Sequence, residues 1–286
     1  MRPVPVLAGL FALALLGCED DDLVTPVPDA TPSPATSSAR TGESHRVAEV
    51  AVVNGANSAT DLSGYAASAA FREFLEGSPG ETTATPSGDC VVKTYVRAPR
   101  LGRRTAFHSA GDISIAGGTE SLLLHPDRKH EYPKAVDDDA DLFAPGDTIT
   151  LRAAGGDVPA FESIRTAPSP IDLRTPENPG GAPLPIDRSQ DLVLTWDGGE
   201  FGDLFVRVSD DRHEIDCLFP TATGTGTLPA AALAVLSPTS EGSVLMAPAS
   251  MESVQAGDWT VQVVLFSSFT WNGAIARPQI RAYAPM

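Results

Sequence analysis

What most constrains the fold of this chain is a series of short segments in which apolar and polar residues alternate with period two, each closed by Gly, Pro or Asp. In 191–196 the side chains of Leu192, Leu194 and Trp196 share one face. In 203–209 Leu204, Val206 and Val208 oppose Phe205, Arg207 and Ser209. Successive strand residues point to opposite faces, so each segment has one face to bury. The pattern recurs at Trp259, Val261, Val263 and Leu265, and at Ile149 and Leu151. Further strand candidates are 47–53, 90–97, 111–116, 119–125, 214–219, 243–247 and 274–283. The Gly-rich run Asp197-Gly198-Gly199-Glu200-Phe201-Gly202 reads as a hairpin connection.

Many short strands at close spacing predict an all-β chain, an antiparallel β-sandwich of immunoglobulin-like or jelly-roll-like type. The Pro-rich stretch 166–187 reads either as a boundary between two packed β units or as a long surface connection within one. Helix is scarce. Pro229 opens a run of good helix formers to Leu236, which predicts one or two turns over 229–236. Residues 61–75 fit helix spacing (Leu62, Ala66, Ala70, Phe74) and strand spacing (Tyr65, Ala67, Ala69, Phe71) alike, and their β surroundings favour strand.

The N-terminus carries an address. Arg2 precedes an apolar run from Val6 to Leu16, the layout of an export signal over 1–17. As a helix that run spans roughly 17 Å, too short for about 30 Å of bilayer hydrocarbon. Leu15-Leu16-Gly17-Cys18 resembles the bacterial lipobox, which implies cleavage before Cys18, a diacylglycerol on its thiol with palmitate among the acyl chains, and a membrane partner through that anchor. An ordinary secretory signal containing a Cys is the alternative. Acyl chains at about 0.8 kcal/mol per buried CH₂ make such an anchor effectively permanent. The acidic run from Glu19 to Asp22 resembles surface-export signals in some bacterial groups and retention signals in others, and reads equally as the solvated start of a linker. Residues 18–46, with Pro26, Pro28, Pro32 and Pro34 among Thr, Ser and acids, read as a disordered tether of roughly 30 Å before an exported β domain over 47–286. The expected location is the cell envelope, at the outer membrane or cell surface.

A net charge of −17, spread over the domain and not gathered in a tail, argues against nucleic acid and anionic headgroups as partners. With Cys18 committed to lipid, Cys90 and Cys217 remain as an even pair. An oxidising compartment favours a disulfide between them, worth about 4–5 kcal/mol in the chain-entropy account; two buried free thiols are the alternative.

Candidate chemistry is sparse. His108, His125, His130 and His213 match no ordinary metal-ligand spacing, and Pro126 makes the 125–130 segment a loop. Asp137, Asp138, Asp139 and Asp141 form the densest acidic cluster, and adjacent loop carboxylates can supply some of the oxygens calcium requires. The cluster lacks the Gly and Glu of an EF-hand, and a solvated turn is the plainer reading. No cofactor is otherwise expected. No Gly-x-Ser-x-Gly elbow, His-Glu-x-x-His, phosphate loop or dinucleotide fingerprint occurs. Trp196 and Trp259 lie on apolar faces and belong to the core, whereas Trp271, beside the Asn272-Gly273 turn, is the aromatic expected to contact a ligand.

Two phrases, Ile186 to Gly199 and Cys217 to Leu233, resemble a group of uncharacterised β-rich envelope proteins of soil, myxobacteria-like bacteria over about 110–266. The resemblance implies an all-β fold and export, and carries over no catalytic residues. The expected function is that of a lipid-anchored, non-catalytic binding, adhesion or structural β-sandwich with a protein or glycan partner. The alternative is an extracellular hydrolase of envelope or polysaccharide substrate. It would use a carboxylate pair distant in sequence, with two carboxyls about 5–10 Å apart and their pKa values pushed apart.

Overall fold

A computed structural model describes residues 45–55, 64–74, 82–95, 105–137, 139–179, 184–237, 242–276 and 281–285. Residues 1–44, where the export signal, the lipidated Cys18 and most of the tether are expected, and Asp138 lie outside the described residues.

The first strands are β1 (His45–Asn54), β2 (Tyr65–Phe74), β3 (Thr82–Ser87), β4 (Cys90–Tyr95) and β5 (Thr105–Phe107). Then follow β6 (Ile113–Ala116), β7 (Leu122–Leu124), β8 (Ala135–Asp137), β9 (Thr148–Ala153) and β10 (Phe161–Thr166). Next come β11 (Ile171–Thr175), β12 (Leu184–Ile186), β13 (Leu192–Gly198), β14 (Asp203–Ser209), β15 (His213–Pro220) and β16 (Thr225–Leu228). A short helix α1 (Ala230–Leu233) precedes β17 (Gly242–Ala256), β18 (Trp259–Ser267), β19 (Phe269–Trp271), β20 (Ala274–Ala276) and β21 (Arg281–Pro285).

The fold is all-β: a sandwich of two packed units that share one large sheet. That sheet holds twelve of the described strands along the order β3-β4-β15-β14-β17-β18-β1-β2-β5, with β8, β12 and β21 attached. A four-stranded sheet, β10-β9-β6-β7, packs on the β18-β1-β2 part. Between them Val50, Val52, Phe71, Val261 and Val263 meet Ile113, Ile115, Ile149 and Leu151, all buried. A five-stranded sheet, β16-β13-β11-β19-β20, covers the β15-β14-β17 part. There Leu204, Val206, Ile215 and Phe219 meet Leu173, Leu194, Trp196 and Trp271. Pairing is antiparallel except at β1·β18, β11·β19 and β12·β21, which run parallel.

The large sheet is buried on its reverse face as well, where Phe205, Leu245, Ala247, Ala249, Val264 and Phe266 form a third cluster. Strands buried on both faces read as continuous apolar runs, which is why 263–266 and 244–247 do not alternate. The sheet is curled. β2 and β3 stand seven strand spacings apart in the order, about 34 Å in a flat sheet. The eight residues of chain from Phe74 to Thr82 reach at most about 29 Å.

Three local expectations meet the structure differently. Within 61–75, the described residues Tyr65–Phe74 form strand β2, in keeping with the strand reading, and pair with β1 along its whole length. The 197–202 run is not a hairpin: β13 lies in the five-stranded sheet and β14 in the twelve-stranded one. Leu194 and Trp196 face Leu204 and Val206 across a single core, so the chain must change layers at this point. Gly199 and Gly202 make the turn at φ 84° and 86°, where side chains would strike Thr221 and the Ala249 carbonyl. The helix is a single turn with Pro229 at its N-cap, and the Ala230 N–H donates to the Asp191 carboxylate at 2.7 Å.

Strand β3 is the outer edge of the large sheet, paired only with β4. Ser87 and Cys90 flank the two-residue Gly88-Asp89 turn and form the hydrogen-bonded pair that closes it. Pro86 is therefore the residue whose backbone nitrogen faces outward, where it offers no N–H to a further strand. Pro86→Val is expected to restore that donor and raise self-association, seen by sedimentation as dimers or larger species absent from the unsubstituted chain.

Candidate functional site

The Cys90–Cys217 disulfide is present, joining β4 to β15 at directly opposed positions with Cα atoms 4.1 Å apart. Since Cys90 exchanges hydrogen bonds with Ser87 on one side, its pairing with Cys217 on the other is of the closer, non-hydrogen-bonded kind, which suits a cross-strand bridge.

Asp137 lies in β8, and its carboxylate accepts the Asp139 N–H at 2.9 Å, a local turn contact. Burial raises the pKa of Asp141. Among the described residues no group of three His, Cys, Asp or Glu converges on a metal-sized space. The histidines are dispersed: His125 pairs with Asp112 at 2.8 Å, His130 with Asp157 at 2.9 Å, His108 with Glu73 at 3.0 Å and His213 with Asp210 at 3.1 Å.

Trp271, expected at a ligand surface, is instead core, with 2% of its surface exposed and its ring N–H donating to the Pro176 carbonyl at 2.6 Å. The reason is register. Residues 269–271 form strand β19, so Phe269 and Trp271 point inward and Thr270 points out.

Thr270 belongs to a cleft at one end of the central strand β11 and its neighbours β13 and β19. The cleft has a volume of about 260 Å³ and is lined by Pro170, Ile171, Asp172, Asp197, Ser268, Phe269 and Thr270. Its polar wall is set by the ladder, in which Asp172 stands opposite Asp197 on β13 and Thr270 on β19. Arg174, two residues along β11 on the same outward face, joins the carboxylates. Its Nη1 meets Asp172 and its Nε meets Asp197, both at 2.7 Å. Burial pushes the Asp172 carboxyl up. The Gly273 N–H, the Thr270 hydroxyl and Arg174 together outweigh that and hold it below the usual range, so Asp172 is an anion and not a proton donor.

Carboxylates also meet on the reverse face of the large sheet. Glu214 and Asp216, alternate residues of β15, share Lys93 Nζ at 2.9 and 2.7 Å. Arg207 donates to both oxygens of Asp216 at 2.7 and 2.9 Å and approaches Glu214 at 3.3 Å. Burial raises Glu214 despite Arg207 and Lys93. Asp216 feels the same burial, but Arg207 and Lys93 prevail and its pKa is lowered. Such a split is the electrostatic half of an acid–base pair. The steric half is missing, because the Glu214 side chain is 0% exposed and Lys93 only 5%. Across the curl Arg207 also acts on Glu49 of β1, whose pKa burial raises against the pull of Arg207 and Arg72. These residues were not legible as a site, since Lys93 and Glu214 are 121 residues apart in the chain.

No family model and no curated protein matches the chain. Among solved structures it is similar to the N-terminal four Ig domains of Dscam1 isoform 8.4, at 12% identity over 72% of this chain and 55% of that one. The TM-score is 0.16, too low to carry an argument about fold or function.

Proposed function

We propose that the chain is a non-catalytic β-sandwich binding module, held at a bacterial envelope by lipid on Cys18 and displayed on the tether between Cys18 and the start of β1 at His45. The observation that carries this reading is the state of the carboxylate pairs. Asp172 and Asp197 are clamped on Arg174, and Glu214 and Asp216 on Lys93 and Arg207. The first pair is occupied by Arg174, and Glu214 of the second is fully buried, out of reach of a substrate. The placement of the cleft agrees with outward display. β1 starts at His45, where the tether joins, and ends at Asn54, whose carbonyl accepts the Ser268 N–H at the cleft. Ten residues of strand put about 30 Å between the two.

Cys18→Ala is expected to move the protein from the membrane pellet to the soluble fraction, because the lipid supplies the whole attachment. Equal partition of variant and unsubstituted chain after fractionation contradicts the anchor.

A further inference from the structure

Building on the reading of a binding module, we propose that the outer face of the five-stranded sheet and its cleft bind a neutral, hydroxyl-rich polymer, an extended glycan chain. The cleft volume of about 260 Å³ lies just below the usual range of about 300–1,000 Å³ for small-molecule pockets, room for one sugar ring and little more. Exposed Pro170 supplies the apolar side open to the C–H face of a ring, Ile171 and Phe269 being core residues only 4% exposed, and Asp172, Asp197, Ser268 and Thr270 give it a polar side. The polar groups alternate. Asp197 accepts, Arg174 donates and Asp172 accepts, all held rigid by two 2.7 Å contacts. Adjacent hydroxyls on a sugar, each both donor and acceptor, complement such a series. With 68% of its side chain exposed, Asp197 is open to a ligand.

The array continues across the sheet. Thr225, Thr195 and Thr175 stand in one outward row, the Thr195 hydroxyl meeting that of Thr175 at 2.9 Å. Strands about 4.8 Å apart therefore offer side-chain hydroxyls at a regular repeat to a chain lying across them. Charge selects among polymers. The net charge of −17 and the carboxylate wall repel uronate or phosphate polymers, leaving neutral ones.

Affinity electrophoresis in native gels containing dextran, mannan, hydroxyethylcellulose or polygalacturonate tests this. The expected result is retardation by at least one neutral polymer and none by polygalacturonate. Asp197→Asn and Arg174→Ala, at largely exposed side chains that the fold does not need, are each expected to weaken retardation about tenfold, the equivalent of one hydrogen bond to a charged group. Glu162→Gln, on the outer face of the other small sheet, is expected to change nothing. Migration unaffected by every neutral polymer, or retardation of both site variants as strong as that of the unsubstituted chain, overturns the glycan face. Either result leaves the anchored binding module standing. Retardation accompanied by new reducing ends in the polymer keeps the face and overturns the non-catalytic reading.

Discussion

Arg207→Met is expected to lower the unfolding free energy by about 3–5 kcal/mol, the cost of breaking a buried ion pair from one side. The loss is large because Arg207 and Lys93 together balance Glu214 and Asp216 in an almost water-free place. Without the guanidinium, one ammonium faces two carboxylates, and the Met side chain replaces its volume but not its charge. The double variant Arg207→Met with Asp216→Leu leaves Lys93 and Glu214 as a neutral pair, and is expected to recover at least half of the loss. Urea denaturation with unchanged m-values checks both. A single-variant loss below about 1 kcal/mol, the value of a surface pair, contradicts the account.

The cluster also sets a pH dependence. Burial tends to raise Asp216, but Arg207 and Lys93 hold it below its ordinary 3.8. Its folded pKa is then below the unfolded one. Its contribution is fully present above about pH 4 and is lost as pH falls toward the folded value. Glu214 has the opposite sign. Burial lifts it above 4.5, so its ionisation costs stability as pH rises through the folded pKa. Asp216→Asn is therefore expected to remove part of the acid-side loss.

Cys90→Ala with Cys217→Ala is expected to cost about 5 kcal/mol, since the bridge closes a loop of 127 residues in the unfolded chain. Against a usual total of about 5–15 kcal/mol for a domain, that is a third of the stability or all of it. The bridge ties β4, and through it the edge strand β3, to the middle of the large sheet. The first consequence of its loss is expected at that edge. Hydrogen exchange resolved along the chain checks this, with 82–95 losing protection before β1 and β18. Uniform loss of protection contradicts a local role.

Most strands were legible because their environment is one-sided. Leu192, Leu194 and Trp196, or Ile149 and Leu151, bury one face and leave the other wet, and alternation records that directly. The Cys pair was legible by parity. Two features were not. Strand β17 extends well past 243–247, since its second half carries Glu252, Ser253 and Gln255 and is held by pairing with β18, not by an apolar pattern. Strands β11 and β12 lie inside the Pro-rich 166–187 stretch, where the prolines suggest only connection.

By itself the sequence determined that this chain is all-β and acidic, and it pointed to Cys90 and Cys217 as a pair. Each follows from local chemistry: side-chain period, net charge, thiol count. Only the tertiary structure decided that 197–202 crosses between layers, that Trp271 turns inward, and that Asp172, Arg174, Asp197 and Thr270 make one outward face. These depend on which strands become neighbours. That choice is made by packing between residues distant in the chain, Asp172–Thr270 and Leu173–Trp271 each being 98 positions apart, and no local window contains it.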